Sequence, residues 1–256
     1  MCRSLGITPT IGPLNITTTL IYTKYMPNIA DNLKHIDHRI KQITKNVNRN
    51  PDEITLLAVS KGQPAAAIQN AYEQGQWHFG ENYLQEALEK QQQLSDLTNI
   101  TWHFIGPIQS NKTRKVAENF DWVHSVDRIK IAERLNQLRT DHPIPLNVCL
   151  QVNINSEESK SGLLANEVEE VAHAVAKLPN LKLRGLMEIP KKNQSDSEQR
   201  ASFKAVAQLL SKLKNGSTQL ATLDTLSIGM SADLEAAITE GATIVRVGTA
   251  IFGPRL

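Results

Sequence analysis

The chain has 256 residues, of which 40% are hydrophobic, and its 28 basic and 26 acidic residues leave a net charge of +2. This near balance, without a basic stripe, argues against a nucleic-acid surface and favours a small-molecule partner. No segment reaches the roughly 18 consecutive apolar residues of a membrane helix, so we predict no membrane association. A chain of this length can bury one large core, which makes a single domain the default.

The two cysteines, Cys2 and Cys149, do not suggest a disulfide framework, because Cys149 lies inside the apolar run 146–152. A reducing compartment follows, and we predict a cytoplasmic protein. Residues 1–27 lack acidic residues and an uninterrupted apolar run, in contrast to the periodic pattern that begins at Asn28. We expect them to be a disordered extension or an upstream start-site artefact, with a transit peptide as the weaker alternative.

The periodic part of the chain begins with an amphipathic helix and continues as a strand followed by a helix. Apolar residues recur at spacings of four and three over residues 29–47, and Pro51 ends this pattern. The short apolar run 54–60 predicts a strand. Pro64 then marks the start of a helix and Gly75 the position just after its end.

The same alternation of strand and helix recurs along the rest of the chain. Short apolar runs lie near residues 77–79, 101–105, 122–126, 146–152, 182–187, 223–228 and 243–247, and helical patterns between them cover 85–94, 128–138, 166–177, 199–213 and 232–240. Counting the first strand, this makes eight β/α units, the number that closes a parallel barrel. We therefore predict an α/β protein with a single (β/α)8 TIM-type barrel over residues 28–256, its N-terminal amphipathic helix included.

A β/α barrel carries its chemistry at the carboxyl ends of its strands, because the loops that follow them converge on one face. The residues at the predicted strand ends are therefore candidates for a site: Lys61, Glu81, Asn82, Gln109, Asn111, Asn153, Asn155, Met187, Glu188, Ser227, Gly229, Met230, Ser231, Gly248 and Thr249.

Two small-residue clusters at the ends of strands seven and eight suit a phosphate group. Ser231 stands where the N-cap of the predicted helix 232–240 belongs, and Gly229 lets the backbone come close. Gly248 and Thr249 follow strand eight, and the loops after strands seven and eight form the usual phosphate site of this barrel. A plain helix cap without a ligand is the alternative that these residues leave open.

Lys61 is the candidate nucleophile, although most lysines at strand ends are solvated surface charges. Alternation places Leu57, Val59 and Lys61 on one face of the first strand. Two apolar inward neighbours would favour the neutral amine, which is the form that makes an imine.

Arg246 shares a strand face with Ile244 and Gly248, so we expect it to point into the barrel if they do. A buried guanidinium needs acceptors. A carboxylate such as Glu81 or Glu188 and a bound ligand are equally good partners at this point.

Metal and nucleotide sites find no support in the sequence. The seven histidines show no HExxH or Cys/His ligand spacing, and neither GxGxxG nor GxxxxGK[ST] occurs. Histidines such as His78 and His103 are better explained as core or rim residues.

Seven segments of the chain, in this order, resemble the YggS/PROSC family of pyridoxal phosphate homeostasis proteins. They are LLAVSK (56–61), HFGENYLQE (78–86), WHFIGPIQSNK (102–112), LQVNINSEESKSGL (150–163), LRGLMEIP (183–190), LSIGMSADLEAAI (226–238) and VRVGTAIFGPR (245–255). The resemblance covers residues 28–256 and leaves residues 1–25 without a counterpart. It implies a barrel of the fold type III kind, similar to the N-terminal barrel of alanine racemase and to the group IV decarboxylases.

The resemblance also implies a cofactor, pyridoxal 5'-phosphate (PLP), held as an imine on Lys61. Asn82 matches a residue near the cofactor ring, and Arg246 matches the arginine that faces the pyridine nitrogen. The phosphate cup corresponds to Ser227, Gly229, Met230 and Ser231 together with Gly248 and Thr249, and Met187 completes the predicted cofactor-binding set.

Three functions remain to be weighed. We favour a carrier or buffer of PLP for intracellular vitamin B6 homeostasis, with no catalytic residues, a monomeric state, and PLP-dependent apoenzymes as recipients. A racemase or decarboxylase would use the same lysine but needs a second acid/base from an added domain, for which we expect no room after the last strand. A barrel that binds another phosphorylated metabolite would keep the cup and need no imine.

Overall fold

Eight parallel strands pair in chain order and close on themselves, because β1 pairs with β8 as well as with β2. The computed structural model describes residues 28–157, 161–191 and 194–254. The strands are β1 (Thr55–Val59), β2 (His78–Glu81), β3 (Thr101–Phe104), β4 (Trp122–Val126), β5 (Leu146–Val152), β6 (Leu181–Glu188), β7 (Thr225–Ser227) and β8 (Ile244–Val247).

Helices alternate with the strands, which confirms the predicted (β/α)8 barrel. They are α1 (Ile29–Asn46), α2 (Ala65–Glu73), α3 (Leu84–Gln93), α4 (Thr113–Asn119), α5 (Ile129–Leu138), α6 (Val168–Val175), α7 (Asp196–Gly216), α8 (Leu234–Thr239) and α9 (Thr249–Phe252). Three short 3-10 helices cover Pro51–Glu53, Ser110–Lys112 and Thr218–Leu220. The predicted extension, residues 1–27, lies outside the described residues. None of the helices within the described ranges is long and apolar enough to span a bilayer.

Helix α1 forms where the periodic pattern predicts it. The Asn28 side chain accepts a hydrogen bond from the Asp31 backbone N–H at 3.1 Å and so caps the helix. The apolar face of α1 is buried and packs against α2, α8 and α9. Asn32 Nδ2 donates to the Ile251 carbonyl at 2.8 Å, so the first helix also holds the last one in place.

The two faces of the strands have different neighbours. Outward side chains such as Ala58, Phe79 and Val123 belong to the hydrophobic core that lies beneath the helices. His124 Nδ1 of β4 and Ser227 Oγ of β7 are hydrogen-bonded at 2.8 Å. These strands are not neighbours in the sheet, so the hydrogen bond crosses the barrel interior. The barrel therefore has an apolar outer core and a partly polar interior.

Candidate functional site

A cavity of about 370 Å³ opens at the carboxyl ends of the strands. Its volume is in the range of small-molecule and cofactor sites. Its walls include eight of the ten predicted cofactor-binding residues: Lys61, Asn82, Met187, Met230, Ser231, Arg246, Gly248 and Thr249. The other wall residues are Val59, Gln63, Ile105, Ile189, Ala232 and Gly253. The structure thus brings strands one, two, six, seven and eight to one site.

Lys61 lies in a tight turn just after β1 rather than on the strand itself. The Ser60 N–H donates to the Gly80 carbonyl at 3.0 Å, and the Gln63 N–H donates back to the Ser60 carbonyl at 3.0 Å. Gly62 takes a positive φ of 70° within this turn. Lys61 is half-buried and shares the cavity wall with Val59, as alternation along the strand predicts.

A buried ion cluster, which we call the Lys90 clamp, holds the turn that carries Lys61. It consists of Lys90, Glu81, Glu86 and Ser60. Lys90 Nζ donates to Glu81 Oε1 at 2.7 Å, to Glu86 Oε1 at 2.5 Å and to the Ser60 carbonyl at 2.8 Å. Glu86 Oε1 also accepts from the Gly62 N–H at 2.6 Å, and Ser60 Oγ donates to Glu81 Oε1 at 2.7 Å.

The clamp explains the role of Glu81, which is a strand-end candidate in the sequence but is absent from the cavity wall. Glu81 is fully buried, and burial raises the pKa of its carboxyl group, while the charge and hydrogen bond of Lys90 act in the opposite direction. Its partners belong to α3 and to the Lys61 turn. Glu81 therefore helps to hold the turn that carries Lys61 and does not contact the cavity itself.

The segments after β7 and β8 meet at the cavity as predicted, but Ser231 is not an N-cap. Helix α8 begins at Leu234 with Asp233 in the cap position, and Ser231 lies in the turn before it. The side chain of Asp233 makes no capping hydrogen bond to the helix; it accepts instead from the Met230 N–H and so closes the turn that precedes α8. Predicting Ser231 as the N-cap is therefore wrong, whereas its place in the cavity wall agrees with the prediction.

Several backbone N–H groups in these two segments donate to no acceptor in the described part of the chain. Those of Ser231, Ala232, Thr249 and Ala250 are among them. Unpartnered N–H groups in the turn before α8 and at the start of α9 attract an anion. The arrangement has the chemistry of a phosphate site.

Gly229 and Ser227 lie behind the cavity wall. Gly229 has a φ of 89°, and a Cβ atom there would come within 2.3 Å of the Ala237 Cβ, so only glycine allows this close approach to α8. The Gly229 carbonyl accepts from the Arg246 N–H at 3.0 Å. Both residues therefore support the cavity and do not line it.

Arg246 is buried in the barrel interior and reaches the cavity wall. One of its terminal nitrogens, Nη1, donates to the Ser227 carbonyl and to Ser227 Oγ at 2.9 Å, and Nη2 donates to the Glu188 carbonyl at 2.8 Å. Burial lowers the pKa of Arg246, and the charges of Glu188 and Asp233 oppose this shift.

The hydrogen bonds of Arg246 show which groups accept from its buried guanidinium, which the sequence left open. Its hydrogen-bond acceptors are two backbone carbonyls and a hydroxyl, and Glu81 is bound to Lys90 instead. Glu188 acts on Arg246 through its charge. A guanidinium has five N–H donors. Three are used, so two remain without an acceptor among the described residues.

Three histidines inside the barrel form a chain of hydrogen bonds that ends at Ser227. His78 Nδ1 lies 3.0 Å from His103 Nε2, His103 Nδ1 lies 2.9 Å from His124 Nε2, and His124 Nδ1 lies 2.8 Å from Ser227 Oγ. His78 and His103, predicted from the sequence as core or rim residues, are half-buried and fully buried respectively, and His124 is fully buried as well. The sequence signal for the chain is a histidine in the middle of each of two buried strands, β3 and β4.

A second cavity, of about 250 Å³, adjoins the first and shares Asn82, Ile105 and Ile189 with it. Its wall includes Asn153 and Asn155, which follow β5 as predicted. Gln109 and Asn111, the candidates after β3, line neither of these cavities. Within the described ranges, no group of three or more His, Cys, Asp or Glu side chains could hold a metal ion.

The closed barrel and its cavity define a protein of the class of the alanine racemase N-terminal domain, whose family model matches residues 32–255. The chain is 54% identical to the pyridoxal phosphate homeostasis protein of Pseudomonas aeruginosa over 230 residues, or 90% of this chain and 97% of that protein. Identity to the homologue of the same name from Escherichia coli K12 is 50% over 232 residues, with 90% and 98% coverage. The chain belongs to the family of pyridoxal phosphate homeostasis proteins.

Solved structures agree with this family. PipY of Synechococcus elongatus PCC7942, solved with PLP bound, is 39% identical with a TM-score of 0.79, and the match covers 88% of this chain and 100% of PipY. Alanine racemase from Corynebacterium glutamicum is 17% identical with a TM-score of 0.65, over 88% of this chain and 62% of the racemase. At that identity the racemase shows a shared fold only.

Proposed function

We propose that this chain binds PLP in the larger cavity and acts in vitamin B6 homeostasis as a carrier or buffer of the cofactor. The observation that carries the proposal is the presence of Lys61 and four unpartnered backbone N–H groups around one cavity. The ε-amine of Lys61 would condense with the cofactor aldehyde to an imine and release one water. The relatives named above support the choice of PLP over another phosphorylated metabolite.

The described residues fit the chemical groups of PLP. The N–H groups of Ser231, Ala232, Thr249 and Ala250 suit the phosphate. The side-chain oxygen of Asn82, a cavity residue, is buried and has no hydrogen-bond partner in the described part of the chain, so it can accept from a ligand.

Arg246 suits the pyridine nitrogen in this proposal, because it has two N–H donors left and lines the cavity. A guanidinium donates only and stays charged, so a ring nitrogen that contacts it must act as acceptor. Arg246 would thus oppose protonation of the ring. An unprotonated ring is a poorer electron sink, which suits storage better than catalysis.

The spectrum of the purified protein tests the proposal. PLP added to the protein should produce a visible absorption band that borohydride removes, and peptide mapping should locate the reduced adduct at Lys61. Binding of PLP without a reducible band would support a barrel that holds phosphorylated ligands through the cup alone. Failure to bind PLP would refute the proposed function.

The PLP-loaded protein should show no sustained racemisation of alanine. The described residues on the wall of the larger cavity include no carboxylate, imidazole or phenol, so the wall offers no second acid/base group opposite Lys61. Chiral chromatography of L- and D-alanine after incubation gives the measurement. Racemisation that disappears in Lys61→Ala would establish the chain as an enzyme instead.

Replacing Ser231 with Ala and Thr249 with Val together should weaken PLP binding roughly a hundredfold to ten-thousandfold, since hydrogen bonds to a charged group contribute about 1.5–3 kcal/mol each. Equilibrium dialysis measures the affinity, and Thr239→Val, in the last turn of α8, serves as the matched control. An affinity equal to that of the control would remove both side chains from the phosphate site.

The proposal also covers the oligomeric state of the protein, its compartment and the recipients of PLP. We propose a monomer in the cytoplasm that passes PLP to apoenzymes. The thiol of Cys149 is buried, and burial raises its pKa to about 12, so we expect it to stay unreactive and unpaired. Transfer of PLP from the loaded protein to an apo-aminotransferase, followed by its activity, would test the delivery role.

A further inference from the structure

The hydrogen-bonded chain from His78 through His103 and His124 to Ser227 continues to Arg246, whose Nη1 donates to Ser227 Oγ at 2.9 Å. We call this set the histidine chain. It crosses the barrel from β2 to β8 and leads from a half-buried histidine to the larger cavity.

The guanidinium fixes the direction of every hydrogen bond in the histidine chain. Arg246 can only donate, so Ser227 Oγ accepts from it. The Ser227 hydroxyl proton then needs an acceptor, and the one that the described residues offer is His124 Nδ1. His124 therefore carries its proton on Nε2 and donates it to His103 Nδ1, and His103 in turn donates from Nε2 to His78 Nδ1.

The opposite order is disfavoured. If His124 donated to Ser227, the hydroxyl oxygen would accept from both neighbours and its own proton would lie in the barrel interior without an acceptor. A doubly protonated histidine in the middle of the chain would bring two donors face to face. Burial opposes such a charge, because it lowers the pKa of His103 well below its ordinary value and lowers that of His124 to about 3.

We propose that His124 is a positioning residue that holds the guanidinium of Arg246 through Ser227, and that Arg246 in turn sets the same Nε2-protonated tautomer on all three histidines. The effect on cofactor binding rests on the proposed function, whereas the tautomer order does not. With Nη1 committed to Ser227, the donors left for the cavity are Nε and one hydrogen of Nη2. The histidine chain therefore selects which edge of the guanidinium faces a ligand.

The packing around the histidine chain supports a fixed arrangement. The Trp122 ring stacks on His103 with an angle of 14° between their planes, and the Arg184 guanidinium lies 4.6 Å above the Trp122 ring. Burial lowers the pKa of His78, while the charge of Asp121 raises it. The outer histidine thus has a half-buried carboxylate nearby, whereas the charged neighbour of His124 is the buried Arg246.

Nitrogen NMR of histidine-labelled protein without PLP tests the tautomers directly. We expect the wild type to show His78, His103 and His124 as Nε2-protonated forms. Ser227→Ala removes the donor to His124 Nδ1, so the signals of His103 and His78, which do not touch Ser227, should shift toward a mixture of tautomers. Ser125→Ala is the matched control, because Ser125 is a buried serine that donates to the Gly106 carbonyl outside the chain. A Nδ1-protonated His124 in the wild type, or equal spectra for the two variants at His103 and His78, would overturn the proposed order.

A conservative replacement separates positioning from packing. His124→Gln keeps an acceptor and a donor on one side chain, whereas His124→Leu keeps neither. For variants that fold, we expect PLP affinity close to wild type in His124→Gln and at least tenfold weaker in His124→Leu. Equal affinities in the two variants would contradict the positioning role. A wild-type protein that fails to bind PLP would refute the proposed function, and the NMR result would still decide the tautomer order.

Discussion

Lys61→Ala is expected to leave no borohydride-reducible PLP adduct, while weak noncovalent binding persists. The imine needs a primary amine at the cavity wall, and alanine supplies none. The backbone N–H groups of the phosphate site are untouched by the substitution, so the phosphate can still be held. Mass spectrometry of the reduced protein gives the adduct yield, and equilibrium dialysis gives the residual affinity.

Two further variants make this result specific. Lys61→Arg keeps the positive charge but cannot form the imine, so it should lose the adduct as completely as Lys61→Ala. Lys41→Ala removes an exposed lysine that pairs with Asp37 on α1 and should keep the full yield. An undiminished adduct yield in Lys61→Ala, mapped to another lysine, would show that Lys61 is not the attachment point.

Lys90→Met is expected to lower the free energy of unfolding by roughly 3–5 kcal/mol, the cost of breaking a buried ion pair from one side. Methionine fills the volume but leaves the buried Glu81 carboxylate without its cation, and the Ser60 carbonyl loses a donor. Urea unfolding of both proteins measures the difference. Lys90→Met combined with Glu81→Gln should recover part of the loss, because no uncompensated buried charge remains at that position.

The loss in Lys90→Met should depend on pH. The folded-state pKa of Glu81 is raised, so its contribution to stability is fully present below its ordinary pKa and is lost as the pH rises through the folded-state value. Removing Lys90 takes away the interactions that lower this pKa, which raises it further. The stability deficit should therefore be largest near about pH 8 and shrink toward about pH 5. A deficit that is constant over this interval would rule out the Glu81 charge as its cause.

The barrel was predictable because it follows from local patterns. Apolar runs of strand length alternate with amphipathic helices, and punctuation such as Pro64 and Gly75 marks the ends of α2 as expected. The rule that chemistry collects at the carboxyl ends of barrel strands then places Lys61, Arg246 and Thr249 in one cavity. Knowing the direction of each strand is enough to predict which residues lie at this end of the barrel.

What the sequence did not reveal depends on side-chain rotamers and on contacts between distant elements. His124 and Ser227 are 103 residues apart and meet across the barrel interior, where no periodicity links them. In the sequence Lys90 looks like an ordinary surface residue of a helix. In the structure α3 lies over the turn that carries Lys61, and Lys90 is buried between them. The Ser231 prediction failed because the helix begins three residues after Ser231, behind a turn that the Asp233 side chain closes by accepting from the Met230 N–H.

The closing seam of the barrel, between β1 and β8, gives ligand binding a mechanical consequence. Lys61 follows β1, whereas Arg246 and Thr249 belong to β8 and α9. A ligand bound by residues on both sides of the seam would therefore link β1 to β8. The seam is the contact by which the two terminal strands complete the ring. A ligand that binds only the closed ring stabilises it by RT ln(1 + [L]/Kd), and the stabilisation vanishes when either strand detaches. Because the ligand contacts both sides of the seam, hydrogen exchange in β1 and β8 should slow together when the ligand is bound.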